Sequence, residues 1–351
     1  MAGPSLHRHH GRCIVEMGVG QKGFKRVPQE RLAQLFGTDF NPEPAGAVWA
    51  PLTAADGVQL RGAFWPAAGP PRGTLVVLQG RSETIEKYFE TIGEWRARGF
   101  AVFAFDWRGQ GGSARLLRDP RKGHVVRFSD YQVDLDAAID WLVTQGAPGP
   151  FFGFGHSMGG AILIEALLRR PDLFERAVTT APMLDVALIR NTKAAGRLAA
   201  VLTHLGLGRH FIPGGGPSPV LFKPFDDNIL TRDAARHRRS RRILEATPQL
   251  ALGDPTISWV ATSFSAMARL RTMAERIHTP LLGVASAQDR VTSTPAAQAF
   301  FDALPHGEFL VLADCEHEIL IETDATRAWF WRAFDAFMAE PALTPWPASQ
   351  E

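Results

Sequence analysis

The segment Gly155-His156-Ser157-Met158-Gly159 has the form G-x-S-x-G, in which a sharp strand-to-helix turn lifts a serine hydroxyl above the edge of a sheet. Glycines flank the serine because backbone and helix crowd that turn. The setting fits: an apolar run (Phe151, Phe152, Phe154) precedes the motif, and a helical run (Ala161, Ile162, Leu163, Ile164) follows it. A serine hydroxyl is a weak nucleophile at neutral pH. It needs a histidine to accept its proton and a carboxylate to hold that histidine in one tautomer. The chemistry implied is attack on a carboxylic ester through an acyl-serine.

Hydrolases built on this turn carry the three groups in the chain order serine, acid, histidine. Asp289 follows the apolar run Pro280 to Ser286, and His317 follows Glu308 to Ala313. Both therefore fall in loops at the carboxyl ends of strands, where open α/β sheets assemble their sites. Asp289 alone could merely close a turn, and His317 alone could be a surface histidine. Together with Ser157 they are the expected catalytic residues. Asp302 falls on a helical stretch, and Asp314 is too near His317 in the chain to reach around it. His156 adjoins Ser157 on the tight turn and points elsewhere, so packing beside the turn is its expected role.

Attack on an ester leaves negative charge on the carbonyl oxygen, which two preorganised backbone N–H groups stabilise. The first is expected from Met158, the residue after the nucleophile. The second is expected from Arg81, in the loop after Thr74 to Gln79, with Gly80 giving the backbone its freedom. The spacings H-E-x-x-H, paired C-x-x-C and G-x-x-x-x-G-K are absent, so neither a metal nor an organic cofactor is expected.

The elements that must position these groups alternate. Strands are expected at Val58 to Trp65, Thr74 to Gln79, Phe100 to Phe105, Pro150 to Gly155, Arg176 to Thr180, Pro280 to Ser286 and Glu308 to Ala313. Helices are expected at Glu83 to Arg98, Tyr131 to Thr144 (capped by Ser129 or Asp130), Ala161 to Arg169, Pro295 to Leu304 and Ala325 to Met338. This alternation implies a mostly parallel sheet with helices on both faces. The first 55 residues, with a weak helical stretch near Gln29 to Phe36, read as a tail and lead-in. The core is expected in two pieces, 56–182 and 275–340. A mostly helical insertion, 183–274, lies between them, and 341–351 form a C-terminal tail.

The chain has 351 residues, 45% hydrophobic and 21% charged, with a formal charge of +2. These values fit a folded soluble protein, and no overall field draws it to nucleic acid or an anionic membrane. Cys13 and Cys315 cannot form a disulfide framework, which fits a reducing, cytoplasmic compartment. The basic start (His7, Arg8, His9, His10) lacks the apolar run of a secretory signal. No apolar stretch is long enough to span a bilayer.

These residues resemble the α/β-hydrolases, and within them the bacterial lysophospholipase and monoacylglycerol lipase group. The resemblance rests on Gln79-Gly80-Arg81-Ser82-Glu83, Glu86-Lys87-Tyr88, Asp106-Trp107-Arg108-Gly109-Gln110-Gly111-Gly112-Ser113 and the nucleophile segment. It continues through Ala181-Pro182-Met183, Asp289-Arg290 and His317-Glu318. It reaches the insertion at Asn228-Ile229-Leu230-Thr231 and Pro248-Gln249-Leu250-Ala251-Leu252-Gly253. It implies an α/β-hydrolase fold and an acyl-ester hydrolase with a cap over the site, acting on a small-molecule or lipid ester; a general carboxylesterase, an aminopeptidase-like hydrolase and a non-catalytic ligand-binding member of the fold are the alternatives left open. Relatives of the eukaryotic lipase type commonly show His-Gly in the oxyanion loop, where this chain has Gln79-Gly80. The Arg81 side chain then either suits a polar head group or ties its loop to Glu83 or another acid.

Within the insertion, Arg236-His237-Arg238-Arg239-Ser240-Arg241-Arg242 reads either as a solvated helix face or as a patch for anionic lipid, a peripheral membrane contact. Aromatic interleaving is missing there, so nucleic acid is not an expected partner. Leu202, Leu205, Leu207, Phe211, Leu221, Phe222, Phe225, Trp259 and Phe264 either line an acyl channel or form the insertion's own core.

Overall fold

The computed structural model describes residues 34–339. The His-rich start, Cys13, most of the Gln29 to Phe36 stretch and the tail 341–351 lie outside the described residues, and Gln34 to Phe36 carry no helix. Three apolar runs form the middle of the sheet: β3 (Gly73–Leu78), β4 (Phe100–Phe105) and β5 (Phe151–His156). All residues of β3 and β4 are buried, as strands covered on both faces must be. Before them run β1 (Val48–Thr53) and β2 (Gln59–Trp65), and after them β6 (Arg176–Thr180), β7 (Leu281–Ser286) and β8 (Gly307–Leu312). The sheet order is β1-β2-β4-β3-β5-β6-β7-β8. β2 lies antiparallel to both β1 and β4, and every other pairing is parallel.

β1 corrects the sequence reading, which left residues up to 55 as a lead-in. Its pattern is that of an edge strand, with Ala50 and Leu52 buried between exposed or half-exposed neighbours. Pro51 is tolerated because an edge strand need not donate every ladder bond.

Helices cover both faces. α1 (Phe89–Ala97), α2 (Asp130–Thr144), α3 (Met158–Arg169), α7 (Thr294–Asp302) and α8 (Asp324–Ala339) belong to the strand-helix alternation. The expected helix from Glu83 begins instead as a 3-10 turn, Ile85–Tyr88, and becomes α-helical at Phe89. Buried Glu83 and Glu86 are the reason: both face inward to bind polar partners, which breaks an amphipathic register. Ser129 makes no side-chain cap to α2. α3 is buried from Met158 to Leu167, and each large apolar side chain there contributes about 1.5–3 kcal/mol on leaving water.

Between β6 and β7 the chain forms α4 (Thr192–Leu202), α5 (Ala234–Ala246), α6 (Ile257–Leu270) and short turns. α4 packs on α6, and α6 packs on α3 of the core. Hydrogen bonds fasten this segment to the core at Trp259 Nε1 to Tyr131 Oη (3.1 Å) and Ser258 Oγ to the Val125 carbonyl (2.9 Å). Leu221, Trp259 and Phe264 are buried, whereas Leu205 and Leu207 are exposed and so are not part of the insertion's core. No helix among the described residues is long and apolar enough to cross a membrane.

Candidate active site

β5 ends at His156 and α3 begins at Met158, so Ser157 is the turn between them. Its backbone lies at φ 51°, ψ −115°, a region that costs a residue bearing a Cβ on the order of 1–3 kcal/mol. Three hydrogen bonds hold it there. The Ser157 N–H donates to the Thr180 carbonyl (3.0 Å), and its own carbonyl accepts from Ala161 N (3.2 Å) and Met183 N (3.0 Å). A Cβ on Gly159 would overlap the Leu78 carbonyl, and one on Gly155 would come within 2.7 Å of the Gly159 carbonyl. Met158 is the first residue of α3, so its N–H belongs to the unsatisfied first turn at the positive end of the helix dipole.

Asp289 follows β7 and His317 follows β8, and the fold brings them together. His317 Nδ1 lies 2.8 Å from Asp289 Oδ2, with both side chains buried. Asp289 Oδ1 also accepts the N–H groups of Val291 (2.7 Å) and Thr292 (2.9 Å), and Oδ2 accepts the Thr292 hydroxyl (2.7 Å). Turn closure and histidine orientation are thus done by one carboxylate. Burial opposes ionisation of Asp289, but His317 and the donors from Thr292 outweigh it and hold the carboxyl below its ordinary range. Burial likewise opposes the His317 imidazolium, yet Asp289 raises the ring above the usual histidine value, with Glu318 and Glu83 acting in the same direction. With Nδ1–H donated to Asp289, Nε2 is the ring's free acceptor.

The rival groups lie elsewhere. Asp302 sits at the end of α7 with Gln298 Nε2 at 2.6 Å, and Asp314 is 87% exposed beside Arg232. His156 is buried, its Nδ1 2.9 Å from Thr180 Oγ1 and its ring 4.9 Å from that of His317. Burial pulls its pKa down to about 3, against the opposing pull of Glu83, so it stays neutral.

The loop after β3 is braced from two sides. Trp107 Nε1 donates to the Gln79 carbonyl (2.9 Å). Gln110 Nε2 donates to the Gly80 carbonyl (2.9 Å), and Gln110 Oε1 accepts from Ser82 N (3.3 Å). Glu83 Oε2 accepts from Gly80 N (2.5 Å) and from the Tyr88 hydroxyl (2.6 Å). The Arg81 N–H makes no hydrogen bond among the described residues. The Arg81 side chain does not pair with Glu83. It crosses to the insertion, where Nη1 donates to the Gly253 carbonyl (2.9 Å) and the guanidinium lies 5.6 Å from the Trp259 ring centroid. Gln110 and Trp107 had no role assigned from sequence, and Glu83 was weighed only as a partner for the Arg81 side chain. Their only signal was membership of the resembling segments, because an isolated polar residue carries no periodicity.

Glu83, His156 and Glu318 place ligand atoms within 4.8 Å of one another, as a metal site would. The Lys87 ammonium already bridges the two carboxylates, so a cation there would meet a fixed positive charge. In the basic segment, Arg236 and Arg239 are spent on Glu90, and Arg241 on Glu245.

Residues 69–324 match the family model described as serine aminopeptidase, S33. Lysophospholipase L2 of Escherichia coli strain K12 is 33% identical over 80% of this chain and 84% of its own length. Monoglyceride lipase of Rattus norvegicus is 25% identical over 72% of this chain and 77% of its own. The crystal structure of Paleococcus ferrophilus monoacylglycerol lipase superposes with a TM-score of 0.65 at 23% identity, covering 80% of this chain and 98% of that one, which shows a shared fold. The chain belongs to the serine aminopeptidase S33 family of α/β-hydrolases and is an ester hydrolase similar to lysophospholipases and monoglyceride lipases.

Proposed function

We propose that the chain hydrolyses monoacyl lipid esters through an acyl-enzyme on Ser157. His317 Nε2 takes the hydroxyl proton as Ser157 Oγ bonds to the carbonyl carbon, and the N–H groups of Met158 and Arg81 stabilise the oxyanion. The histidine returns that proton to the departing alcohol. It then activates a water that releases the fatty acid and frees the serine. Asp289 keeps Nδ1 protonated throughout. The observation that carries this reading is the buried 2.8 Å contact between His317 and Asp289, on the same edge of the sheet as the strained turn at Ser157.

The helical insertion acts as a cap. Arg81 from the oxyanion loop and Glu318 from the histidine loop both bond to its backbone, the latter through Glu318 N to the Leu230 carbonyl (2.7 Å). The names of the relatives supply the substrate class. Contact with lipid runs through the exposed apolar face of Leu198, Val201, Leu205 and Leu207, flanked by exposed Lys193 and Arg197. α5 is the less suited face, because Arg236, Arg239 and Arg241 are paired with acids and, among the described residues of that helix, only Arg238 and Arg242 are exposed arginines without one. A panel of lysophospholipids, monoacylglycerols and short p-nitrophenyl esters tests the substrate, and activity confined to the short esters refutes the lipid reading. A fluorophosphonate probe tests the nucleophile: wild type is labelled and Ser157→Ala is not.

A further inference from the structure

Lys87 stands in the 3-10 turn before α1 with its side chain 9% exposed. Burying an ammonium sacrifices its hydration, so the position needs partners of matching charge. There are two, from different loops. Nζ bonds Glu83 Oε1 at 2.6 Å and also Glu318 Oε2. Glu83 is the residue whose other oxygen fastens the Gly80 N–H, one position before Arg81. Glu318 is the residue after His317, and its backbone is tied to Leu230 of the insertion. A single ammonium therefore joins the oxyanion loop to the loop of the base.

The charges around it are informative. Tyr88 comes from its own turn, His156 from the end of β5, His317 from the loop after β8, Asp289 from the loop after β7, and His237 from α5. Burial keeps His156 and His237 below the ordinary imidazole pKa, and Tyr88 lies well above the ordinary phenol, so all three are uncharged at neutral pH. Besides His317 itself, Lys87 is the group among these that carries positive charge opposite the carboxylates of Glu83, Glu318 and Asp289.

We propose that Lys87 is a positioning residue. By clamping Glu83 to Glu318 it sets the oxyanion donors against His317, and it offsets carboxylate charge that would otherwise hold His317 protonated. This rests on the acyl-enzyme reading given above, in which His317 works only when neutral. Removing the ammonium therefore has two consequences: misalignment lowers turnover, and the acid limb of the pH profile moves upward.

The test compares wild type, Ser157→Ala, Lys87→Met, Glu318→Gln and the double variant Lys87→Met/Glu318→Gln. For each, kcat and KM of a p-nitrophenyl ester are measured across pH beside a thermal melt. Lys87→Met is expected to lower kcat about tenfold to a hundredfold, with KM changed by less than about threefold. Its acid limb rises by about half a pH unit or more, and the double variant brings the limb back toward wild type. A merely structural role would lower the melting temperature and leave the limb in place. An unmoved limb in Lys87→Met, or kcat within about twofold of wild type, overturns the proposal. Should Lys87→Met fail to fold, Glu318→Gln decides alone: its limb moves downward if the cluster acts on His317, and an unmoved limb overturns the idea. Activity retained by Ser157→Ala would sink the acyl-enzyme reading itself, and this proposal with it. Labelled, active wild type with unmoved limbs sinks only the role of Lys87.

Discussion

Replacing Asp289 by Asn removes one charge and keeps the shape, and the surrounding hydrogen bonds dictate the result. In the native site Oδ1 accepts two backbone N–H groups, while Oδ2 accepts His317 Nδ1–H and the Thr292 hydroxyl. Asparagine has one oxygen, and the two N–H groups of Val291 and Thr292 claim it. Its NH2 then faces His317, whose Nδ1 must become an acceptor, which moves the ring proton to Nε2. In that tautomer the ring cannot take the serine proton. Losses of this wrong-tautomer kind are about a thousandfold to ten-thousandfold in kcat, or about 4 to 5.5 kcal/mol of barrier. The Thr292 hydroxyl also loses its 2.7 Å acceptor and keeps the Ala181 carbonyl at 3.3 Å, a stability cost of about 0.5–1.5 kcal/mol. Turnover of a monoacyl ester and a thermal melt of the same preparation separate the two effects. Asp302→Asn, on the exposed end of α7, serves as the control and stays within about twofold of wild type. The reasoning is refuted if Asp289→Asn keeps more than about a tenth of wild-type turnover, or if Asp302→Asn is the more damaging change.

The pH dependence follows from the same pair. In the proposed mechanism His317 acts when neutral, and Asp289 raises its pKa, so kcat/KM should fall as pH drops through a value above the ordinary imidazole pKa. An acid limb at or below that range in a pH-rate profile would contradict this. Gly159→Ala drives a Cβ into the Leu78 carbonyl and is expected to abolish fluorophosphonate labelling or soluble expression, while Gly93→Ala, with open space around it, leaves both intact. Arg81→Ala keeps the backbone N–H and removes the tie to Gly253. It should raise KM for lipid esters more than it lowers kcat for p-nitrophenyl acetate, and equal losses in both would argue that the side chain holds the oxyanion loop itself. Glu83 is held down to about 2, against the cost of burial, by the Lys87 ammonium and the Tyr88 hydroxyl. Its stabilisation is therefore full above the ordinary carboxylate range and is lost as pH falls toward 2. A Glu83→Gln variant should accordingly show a flatter dependence of melting temperature on acid pH.

The middle of the sheet was legible because strands covered on both faces must be apolar throughout, and runs such as Phe100 to Phe105 admit few other readings. Loop positions at the ends of β7 and β8 followed from chain order. Three features escaped. β1 is half exposed and carries Pro51, so its residues resemble a linker until Trp49 to Thr53 are seen paired with β2. The turn before α1 looked helical because its apolar residues recur at helical spacing, while its buried acids have partners that local periodicity cannot reveal. Arg61, for example, bonds Glu86 and Asp106 across separations of 25 and 45 residues, and all three side chains are fully buried. The link from Lys87 to Glu318 spans 231 residues and leaves no trace in any window of sequence.

The insertion between β6 and β7 also imposes an order of assembly. The turn at Ser157 leans on Thr180 of β6, and Ala181 in turn donates to Val284 of β7, on the far side of residues 181–280. Contacts closing so long a loop form late, since chain entropy must be overcome before they repay it. On the proposed roles, a chain emerging from the ribosome holds its serine well before its acid and its base, which follow β7 and β8. Under that proposal a polypeptide ending before β7 has its serine but neither partner, and is expected to leave esters intact.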